Sequence, residues 1–253
     1  MEFIGDFHMH STYSDGRYSL EEMVVAGRKK GLKSMAITDH GPHNIGTGVK
    51  NAQTFLEIKQ KLSEINQKYP DMQLLCGCEA DIIGLNGEID VPPEICEQLD
   101  ILIVGLHPFA RPGKISDAWS LNVRNQTARV SKGQREKVKN SNTKTLLAAM
   151  ENHPIDTISH PGLGMPICVS EVARGCAKHQ VLYEVNCGHS FPNLEDILAA
   201  AKEGVDFIVD SDAHFTDSVG KLDFGSALLE QAGVPIERIA NAHIEGKNYM
   251  WEK

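Results

Sequence analysis

Short apolar segments alternate along the chain with longer segments in which apolar residues recur every three or four positions. The short segments predict β-strands at residues 3–10, 33–39, 74–83, 101–106, 156–159, 182–186 and 207–210. The amphipathic segments predict helices at residues 20–30, 55–68, 92–98, 143–152, 170–178 and 194–203. Local signals support the first helix, because Ser19 and Glu22 can form a capping box and Gly31 follows the last periodic residue.

This order of strands and helices predicts an α/β fold with parallel strands, because a parallel connection requires a crossover. A closed barrel and an open, doubly wound sheet both satisfy the pattern. We favour a barrel resembling the TIM barrel, because polar residues follow nearly every strand. An open sheet would instead gather its ligands at one switch point.

Metal-binding residue types stand directly after six of the apolar segments. These residues are His8, His10, Asp39, His40, Glu79, His107, His160, Asp212 and His214. Burying ionisable groups at so many strand ends costs too much free energy unless they bind something. The recurrence therefore predicts a metal cluster at the mouth of the barrel, where the carboxyl ends of the strands meet.

The spacing and type of these residues indicate a catalytic metal centre. His8 and His10 are two residues apart on a strand and so face the same side, and Asp212 and His214 repeat that spacing. Imidazole and carboxylate ligands without thiolate suit Zn, Mn or Fe ions. Adjacent ions activate water and stabilise both the attacking and the leaving oxygen of a phosphoryl transfer.

Composition adds weaker constraints. The chain has 253 residues, a natural size for a single barrel, and a net charge of −9 that argues against general binding to nucleic acid or anionic membranes. No apolar run approaches the roughly 20 residues that span a bilayer. The six cysteines form no Cys-x-x-Cys pair, which favours reduced thiols. With no visible signal peptide, we expect a cytoplasmic protein.

One segment, residues 109–142, departs from this alternation and is strongly basic. Its cationic residues are Arg111, Lys114, Arg124, Arg129, Lys132, Arg135, Lys137 and Lys139, and its acidic residues are Asp117 and Glu136. A connection of this length is unusual in a compact domain unless it is functional. It is either a solvated surface loop or a basic lid over an anionic substrate, and its position directly after His107 favours the lid.

Four ordered motifs resemble those of the PHP (polymerase and histidinol phosphatase) family. They are His-Met-His-Ser-Thr-Tyr-Ser-Asp-Gly at 8–16, Thr-Asp-His at 38–40, Ser-His-Pro at 159–161 and Ser-Asp-Ala-His at 211–214. The chain is more similar to the small stand-alone bacterial phosphatases of that family than to its polymerase-attached domains. The resemblance implies a single domain over residues 1–253, a distorted seven-stranded barrel and a trinuclear metal centre.

The matching motifs imply a ligand set for three metal ions. The first ion would take His8, His10, Glu79 and Asp212; the second would share Glu79 and add His107 and His160; the third would take Asp15, His40 and His214. Family members carry either Asp or His at the position of Asp15. In this chain the Ser-Asp-Gly sequence at 14–16 also suits a simple turn.

Candidate catalytic residues follow from these assignments. Glu79 and Asp212 act within the metal set, and Glu79 would bridge two ions. His43, in the loop after the second strand, is a candidate substrate contact or general acid. Arg111, in the basic segment, is a candidate phosphate contact. Asn186 ends the sixth strand and is a candidate for facing the site.

Three other residues are less clearly placed by the sequence. Asp39 is a candidate for orienting His40 or another ligand from behind. His189 falls in a loop near the barrel mouth, and Asp6 precedes the first motif; both stay open.

The sequence therefore predicts a metal-dependent phosphoesterase that hydrolyses a small phosphorylated metabolite with a metal-activated hydroxide. A nuclease or phosphodiesterase acting on nucleic-acid ends is the second enzyme class, which the basic segment supports and the net charge opposes. A non-enzymatic metal-binding module is disfavoured by the full ligand set. Metal-dependent C–N hydrolysis is disfavoured because no lysine falls at a strand end. The oligomeric state is left open.

Overall fold

Seven parallel strands curve into a nearly closed barrel at the centre of the molecule. The computed structural model describes residues 1–127 and 132–245. The strands, in their order across the sheet, are β1 (Gly5–Asp6), β2 (Ser34–Ile37), β3 (Gln73–Asp81), β4 (Ile101–Gly105), β5 (Thr157–Ile158), β6 (Leu182–Asn186) and β7 (Phe207–Asp210). Each strand pairs in parallel with the next. The predicted α/β barrel resembling a TIM barrel is confirmed.

Helices connect the strands and cover the outside of the barrel. They are α1 (Leu20–Lys29), α2 (Thr54–Lys68), α3 (Pro93–Cys96), α4 (Ile115–Ala118), a π-helix (Trp119–Val123), α5 (Arg124–Thr127), α6 (Lys132–Asn152), α7 (Val169–His179), α8 (Leu194–Ala201), α9 (Asp223–Ala232) and a 3₁₀ helix (Ile236–Arg238). The capping box of Ser19 and Glu22 is present. The sequence analysis missed α9, although Gly233 caps its end with a positive φ of 69°.

The inside of the barrel changes from apolar to polar along the strands. Its apolar layer consists of Phe7, Ala36, Leu75, Ile101, Ile103 and Ile208. On β6, the alternate positions Leu182, Glu184 and Asn186 share one face, and the two polar ones follow the apolar one. The same alternation on β3 places Glu79 and Asp81 on one face. The apolar layer therefore closes the bottom of the barrel, and ionisable groups occupy its mouth.

The barrel closes between β1 and β7 without a regular strand ladder. The His10 N–H donates to the Ala213 carbonyl at 2.9 Å, and Met9 forms an isolated parallel bridge with the same residue. Only Gly5–Asp6 pair as a strand, so the strand predicted over residues 3–10 is too long. The reason is that side chains take over the backbone hydrogen bonds on this side.

Two buried carboxylates provide part of this seam. Asp6 accepts hydrogen bonds from the N–H groups of Ser211 at 3.0 Å and Gly220 at 2.9 Å. Asp210 accepts from the Phe7 N–H at 2.7 Å. Burial raises the pKa of both carboxyl groups. Asp6, which the sequence left open, therefore has a role in closing the barrel.

The side-chain amide of Asn241 completes the seam from below. Its oxygen accepts from the Val209 N–H at 3.1 Å, and its nitrogen donates to the carbonyls of Val209 at 2.6 Å and Gly5 at 3.0 Å. The residue is buried. One amide group thus reproduces the hydrogen bonds that a neighbouring strand would supply.

Residues 109–142, in which the sequence analysis predicted no helix, contain several helices in their described part. The described part contains α4, the π-helix, α5 and the first half of α6, so that α6 begins before the predicted start at 143. The buried face of α6 mixes apolar and polar residues, namely Val138, Asn142, Thr145, Leu146 and Ala149. Apolar periodicity could not reveal this helix. Arg129 lies outside the described residues.

Within residues 1–127 and 132–245, no helix combines the length and the hydropathy needed to cross a bilayer.

We predict that Asn241→Ala destabilises the fold by about 2–3 kcal/mol, because it leaves buried backbone groups on both sides of the seam without partners. Urea unfolding followed by circular dichroism measures this change. Gln67→Ala, on the exposed side of α2, is the control and should alter the free energy of unfolding by less than about 0.5 kcal/mol. Equal stability of the two variants would show that the seam does not depend on Asn241.

Candidate metal centre

Nine side chains converge at the mouth of the barrel. They are His8, His10, Asp15, His40, Glu79, His107, His160, Asp212 and His214. These are the nine residues that the sequence predicted as metal ligands. Five are buried, and the other four are partly exposed toward solvent. The structure therefore brings together the whole predicted set from positions spread over more than 200 residues of sequence.

Glu79 lies at the centre of this cluster. Its Oε1 atom is 3.2 Å from His107 Nε2 and 3.0 Å from His160 Nε2. Its Oε2 atom is 2.8 Å from His40 Nδ1 and 3.3 Å from His8 Nε2. The two oxygens thus face different pairs of imidazoles, which is the arrangement expected of a carboxylate that bridges two ions.

Asp212 lies on the side of His8 and His10. Its Oδ1 atom is 3.1 Å from His10 Nε2 and 3.7 Å from His8 Nε2. Together with Glu79, these residues surround one potential metal position. The grouping agrees with the first ion of the predicted ligand set.

Asp15 gathers a further group at the outer side of the cluster. Its Oδ1 atom is 3.2 Å from His214 Nε2, 3.8 Å from His40 Nε2 and 3.9 Å from His10 Nδ1. Donor atoms of these four residues lie close enough to hold one metal ion. His10 was not predicted for this group, and its second ring nitrogen brings it there.

The donor set fits divalent metal ions. Among the described residues, His10 Nδ1, Asp212 Oδ1 and both carboxylate oxygens of Glu79 are buried without a hydrogen-bond partner. Such groups are costly unless an ion compensates them. Two ligands at about 2.1 Å from a tetrahedral ion lie about 3.4 Å apart. The nitrogen–oxygen distances around Glu79, from 2.8 to 3.3 Å, are close to that spacing.

The electrostatics of the cluster favour ionised carboxylates. Burial acts to raise the pKa of Glu79, but His8, His107 and His40 outweigh it and hold the pKa well below the usual range. Burial likewise opposes protonation of His8 and His107, yet Glu79 and other carboxylates raise the pKa of both well above 6.5. Negative charge at the centre therefore requires positive charge around it, which bound metal ions can supply.

The outer group shows the same coupling. Burial acts against the charged form of Asp15, but its hydrogen bond with His214 and the nearby imidazoles lower its pKa to about 2. Burial acts to lower the pKa of His214, but the negative charges of Asp15 and Asp212 have the larger effect and raise this pKa to about 9. Burial, reinforced by His40, lowers the pKa of His10 to about 4.

Glu184 and Asn186 hold three of the nine residues from behind. Glu184 accepts a hydrogen bond from His8 Nδ1 at 2.6 Å and another from the backbone N–H of His160. Asn186 Nδ2 donates to Glu184 at 3.2 Å and to Asp212 Oδ2 at 3.1 Å. These bonds leave His8 Nε2 and Asp212 Oδ1 directed at the cluster. Orienting contacts of this kind tune metal affinity.

Asp81 has the same role for His107, whose Nδ1 donates to Asp81 Oδ1 at 2.5 Å. The sequence analysis missed Asp81 and Glu184. The signal was nevertheless present, because each is two residues from a polar residue already selected on the same strand and so shares its face.

Asp39 supports the opening motif rather than the ring of His40. Its carboxylate accepts from the Ser11 N–H at 2.7 Å, from the Ser11 hydroxyl at 2.6 Å and from the Ser14 hydroxyl at 2.5 Å. Gly16 completes the turn, since a Cβ atom there would lie 2.3 Å from the His10 carbonyl oxygen. The serines and the glycine of the motif therefore fix the loop that carries Asp15.

The backbone at two of the nine residues is strained. His160 has a φ of 24° and Asp212 a φ of 51°, in the left-handed region that side-chain-bearing residues seldom occupy. Such conformations cost about 1–3 kcal/mol each and persist when surrounding contacts fix them. Here Glu184 and Asn186 supply those contacts, which ties the strain to the placement of the two side chains.

Two loops at the mouth pair as a short antiparallel ribbon of residues 43–45 and 109–111, called the ribbon below. Its centre is the bridge between Asn44 and Ala110. The side-chain nitrogen of Asn44 lies 3.4 Å from His40 Nδ1, so this face of the ribbon points to the cluster. The loops after β2 and β4 are thereby joined beside the metal centre. No sequence signal indicated this pairing.

The opposite face of the ribbon carries His43, Ile45, Phe109 and Arg111, because side chains alternate along each strand. The Arg111 N–H donates to the His43 carbonyl at 2.8 Å, and His43 Nδ1 donates to the Arg111 carbonyl at 2.9 Å. The structure thus places His43 and Arg111, two of the four candidate catalytic residues, beside the mouth and outside the group of nine.

His189, which the sequence left open, lies at the edge of the cluster. It is 51% exposed, and its Nε2 atom is 3.3 Å from Asp212 Oδ2. Its backbone N–H donates to the side-chain oxygen of Asn186 at 2.9 Å. A half-exposed imidazole is therefore held at the entrance to the site.

Comparison with known proteins identifies the family. The family model of the PHP domain matches residues 6–217. The chain belongs to the PHP domain family. The match confirms the resemblance of the four motifs, and it includes strands β2 to β7, Asp6 of β1 and all nine clustered residues.

Relatives of this PHP domain include proteins named as phosphatases and one polymerase. A probable phosphatase of Clostridium acetobutylicum is 30% identical over 252 residues, which cover 95% of this chain and 91% of that protein. A DNA polymerase/3'-5' exonuclease PolX of Bacillus subtilis is 28% identical over 251 residues, which cover 94% of this chain and 39% of that protein.

Solved structures show the same fold. The putative histidinol phosphatase of Listeria monocytogenes superposes with a TM-score of 0.66 at 17% identity, covering 86% of this chain and 97% of that one. The histidinol phosphate phosphatase of Lactococcus lactis, solved with Zn, L-histidinol and phosphate, gives 0.62 at 14% identity, covering 90% and 93%.

We predict that Glu184→Gln weakens the binding of divalent metal by about 10- to 100-fold, because it removes the negative charge that orients and polarises His8. Titration of metal-free protein with Zn²⁺ against a chelating indicator measures this. Glu195→Gln, an exposed change of the same kind on α8, should leave affinity unaltered. If both variants bind as tightly as the parent chain, Glu184 has no influence on the centre.

Proposed function

We propose that this PHP domain is a metal-dependent phosphatase that hydrolyses a small phosphomonoester. The observation that carries the proposal is the position of Glu79, whose two carboxylate oxygens each face two imidazoles. Membership of the PHP family and the relatives named as probable phosphatases support it. The solved relative that holds zinc and phosphate supports the same class of reaction.

Three ions, of Zn, Mn or Fe, are proposed for the nine ligands. One would be held by His8, His10, Glu79 and Asp212, a second by Glu79, His107 and His160, and a third by Asp15, His40 and His214. The unpaired atoms of Glu79 and Asp212 support the first two. The proximity of Asp15, His40 and His214 supports the third, to which His10 also comes close.

Bound ions would supply the positive charge that activates water and stabilises the phosphoryl oxygens. The chain's own residues then have distinct tasks. Glu79 and Asp212 provide fixed negative charge. Glu184 and Asp81 orient the imidazoles of His8 and His107, and Asn186 orients the carboxylate of Asp212. A site assembled in this way needs little reorganisation when charge develops during the reaction.

The predicted roles of His43 and Arg111 stay predictions. Both lie on the outer face of the ribbon, and Asn44 occupies the inner face next to His40. His43 and Arg111 can therefore meet parts of a substrate that project from the mouth. A phosphate contact from Arg111 would require its long side chain to reach over the edge of the ribbon.

A nuclease acting on nucleic-acid ends is the second candidate. The observation that favours it is the PolX relative, which aligns with 94% of this chain. The net charge of −9 disfavours it, since a polyanion would be repelled over much of the surface.

The experiment that separates the two candidates compares substrates on metal-reconstituted protein. We expect turnover of a panel of small phosphomonoesters and no cleavage of long duplex DNA. Protein purified in parallel with Glu79→Gln controls for contaminating enzymes. Release of nucleotides from DNA ends by the parent chain, without monoester turnover, would reverse the ranking.

We predict that Glu79→Gln lowers kcat/KM by more than about 100-fold, the upper limit for residues that only orient a ligand. The reason is that its charge is proposed to serve two ions, so its loss should exceed that of any single histidine substitution. Glu94→Gln, exposed at the start of α3, is the matched control. Metal content is measured on the same samples, and normal turnover with full metal in Glu79→Gln would exclude the bridging role.

A further inference from the structure

Exposed large apolar side chains are concentrated around the mouth of the barrel. In the described part of the chain, those at least half exposed are Ile45 (64%), Phe109 (65%), Ile115 (95%), Trp119 (63%) and Phe215 (50%). Phe109 lies two residues after His107, and Phe215 directly follows His214. Scattered exposed apolar residues need no explanation, but a cluster that borders a catalytic centre marks a binding surface.

Ile45 and Phe109 form the centre of this surface. They are neighbours on the outer face of the ribbon, where the Ile45 N–H donates to the Phe109 carbonyl at 3.4 Å. The inner face of the same ribbon contacts the cluster through Asn44 and His40. The apolar pair is therefore held at a fixed position relative to the metal centre, within a few residues of two of its ligands.

The adjoining helical segment extends this surface. The side-chain nitrogen of Asn122 donates to the carbonyls of Pro108 at 3.1 Å and Ala110 at 3.0 Å, on either side of Phe109. These bonds fix the π-helix, which carries the exposed Trp119, against the ribbon. The loop that carries Phe109 is thus hydrogen-bonded on both sides. The side chain of Phe109 is therefore exposed in a well-ordered loop.

We propose that Ile45, Phe109 and Phe215, called the apolar rim, bind the organic group of the substrate. The enzyme then selects phosphomonoesters of bulky apolar or aromatic alcohols over those of small or polar alcohols. The inference rests on the proposed function, since a phosphate held at the ions must direct its ester group out of the mouth. Contact with the rim removes apolar surface from water and allows an aromatic group to pack against Phe109.

The composition of the ribbon's outer face disfavours a second copy of the chain as the occupant. In a two-fold dimer each patch meets its own counterpart. Arg111 and His43 flank Ile45 and Phe109 on that face, so a second copy seated over the apolar pair would also bury these two basic side chains. A single organic group of a substrate can contact the apolar pair without burying either basic side chain.

The test uses 3-phenylpropyl phosphate and propyl phosphate on the metal-reconstituted full chain. Their leaving alcohols are chemically alike, so a difference in kcat/KM reports recognition of the phenyl group. We expect a preference of about tenfold or more for the phenyl substrate. Phe109→Ala and Ile45→Ala should each remove most of it through KM, because binding to the rim is the same in ground and transition states. Phe109→Leu should retain most of it.

Leu198→Ala, an exposed apolar change on α8, is the control and should retain the full preference. Binding of 3-phenylpropylphosphonate, which is not hydrolysed, gives a second readout by calorimetry. If neither ester is turned over, the proposed function fails. Tighter binding of this phosphonate to the parent chain than to Phe109→Ala would still support the proposed role of the apolar rim.

Equal binding of the phosphonate by these two proteins would overturn that role, as would equal kcat/KM for the two esters in the parent chain. So would conversion of a dimer to a monomer by Phe109→Ala with an unchanged substrate ratio, measured by sedimentation.

Discussion

The buried charge of Glu79 is the constraint on which the rest of the site depends. A carboxylate at the centre of a barrel is tolerated only if positive charge surrounds it. Histidines from several strand ends are directed at its two oxygens, and they in turn need partners for their outer nitrogens. Glu184 and Asp81 supply those partners for His8 and His107. The charge of Glu79 is thus compensated by the imidazoles around it, and two of these imidazoles are in turn hydrogen-bonded to outer carboxylates.

The barrel lacks regular strand pairing at the place where several of the histidines and Asp212 converge. Where β1 meets β7, the chain must deliver His8, His10 and Asp212 to the same point. Carboxylates and the amide of Asn241 replace the missing ladder there. A regular ladder would fix those strand ends in extended geometry, whereas side-chain bonds permit the left-handed turn at Asp212. The irregular seam and the position of the ligands are two aspects of one arrangement.

The fold and eight of the nine clustered residues could be predicted from sequence because both follow a simple period, whereas Asp15 was identified only through the resemblance of its motif to those of the PHP family. Apolar runs mark the strands, and polar residues at strand ends must gather where parallel strands end together. The helix over Lys132–Asn152 could not be predicted in full, because Asn142 and Thr145 interrupt its buried face. The pairing of 43–45 with 109–111 was also invisible, since it depends on two loops that are distant in sequence. Residues whose role depends on that pairing, such as Asn44, were missed for the same reason.

The two faces of the ribbon differ in how freely their residues can change in evolution. Alternate positions on one strand face either the metal cluster or solvent, so substitutions at the outward positions can alter specificity without touching Asn44. Loop length is under a stricter limit. Insertion of a single residue between His40 and Asn44 would exchange the two faces and turn solvent-facing side chains toward the ions. Divergence in this part of the molecule should therefore proceed by replacement of outward residues rather than by single insertions or deletions.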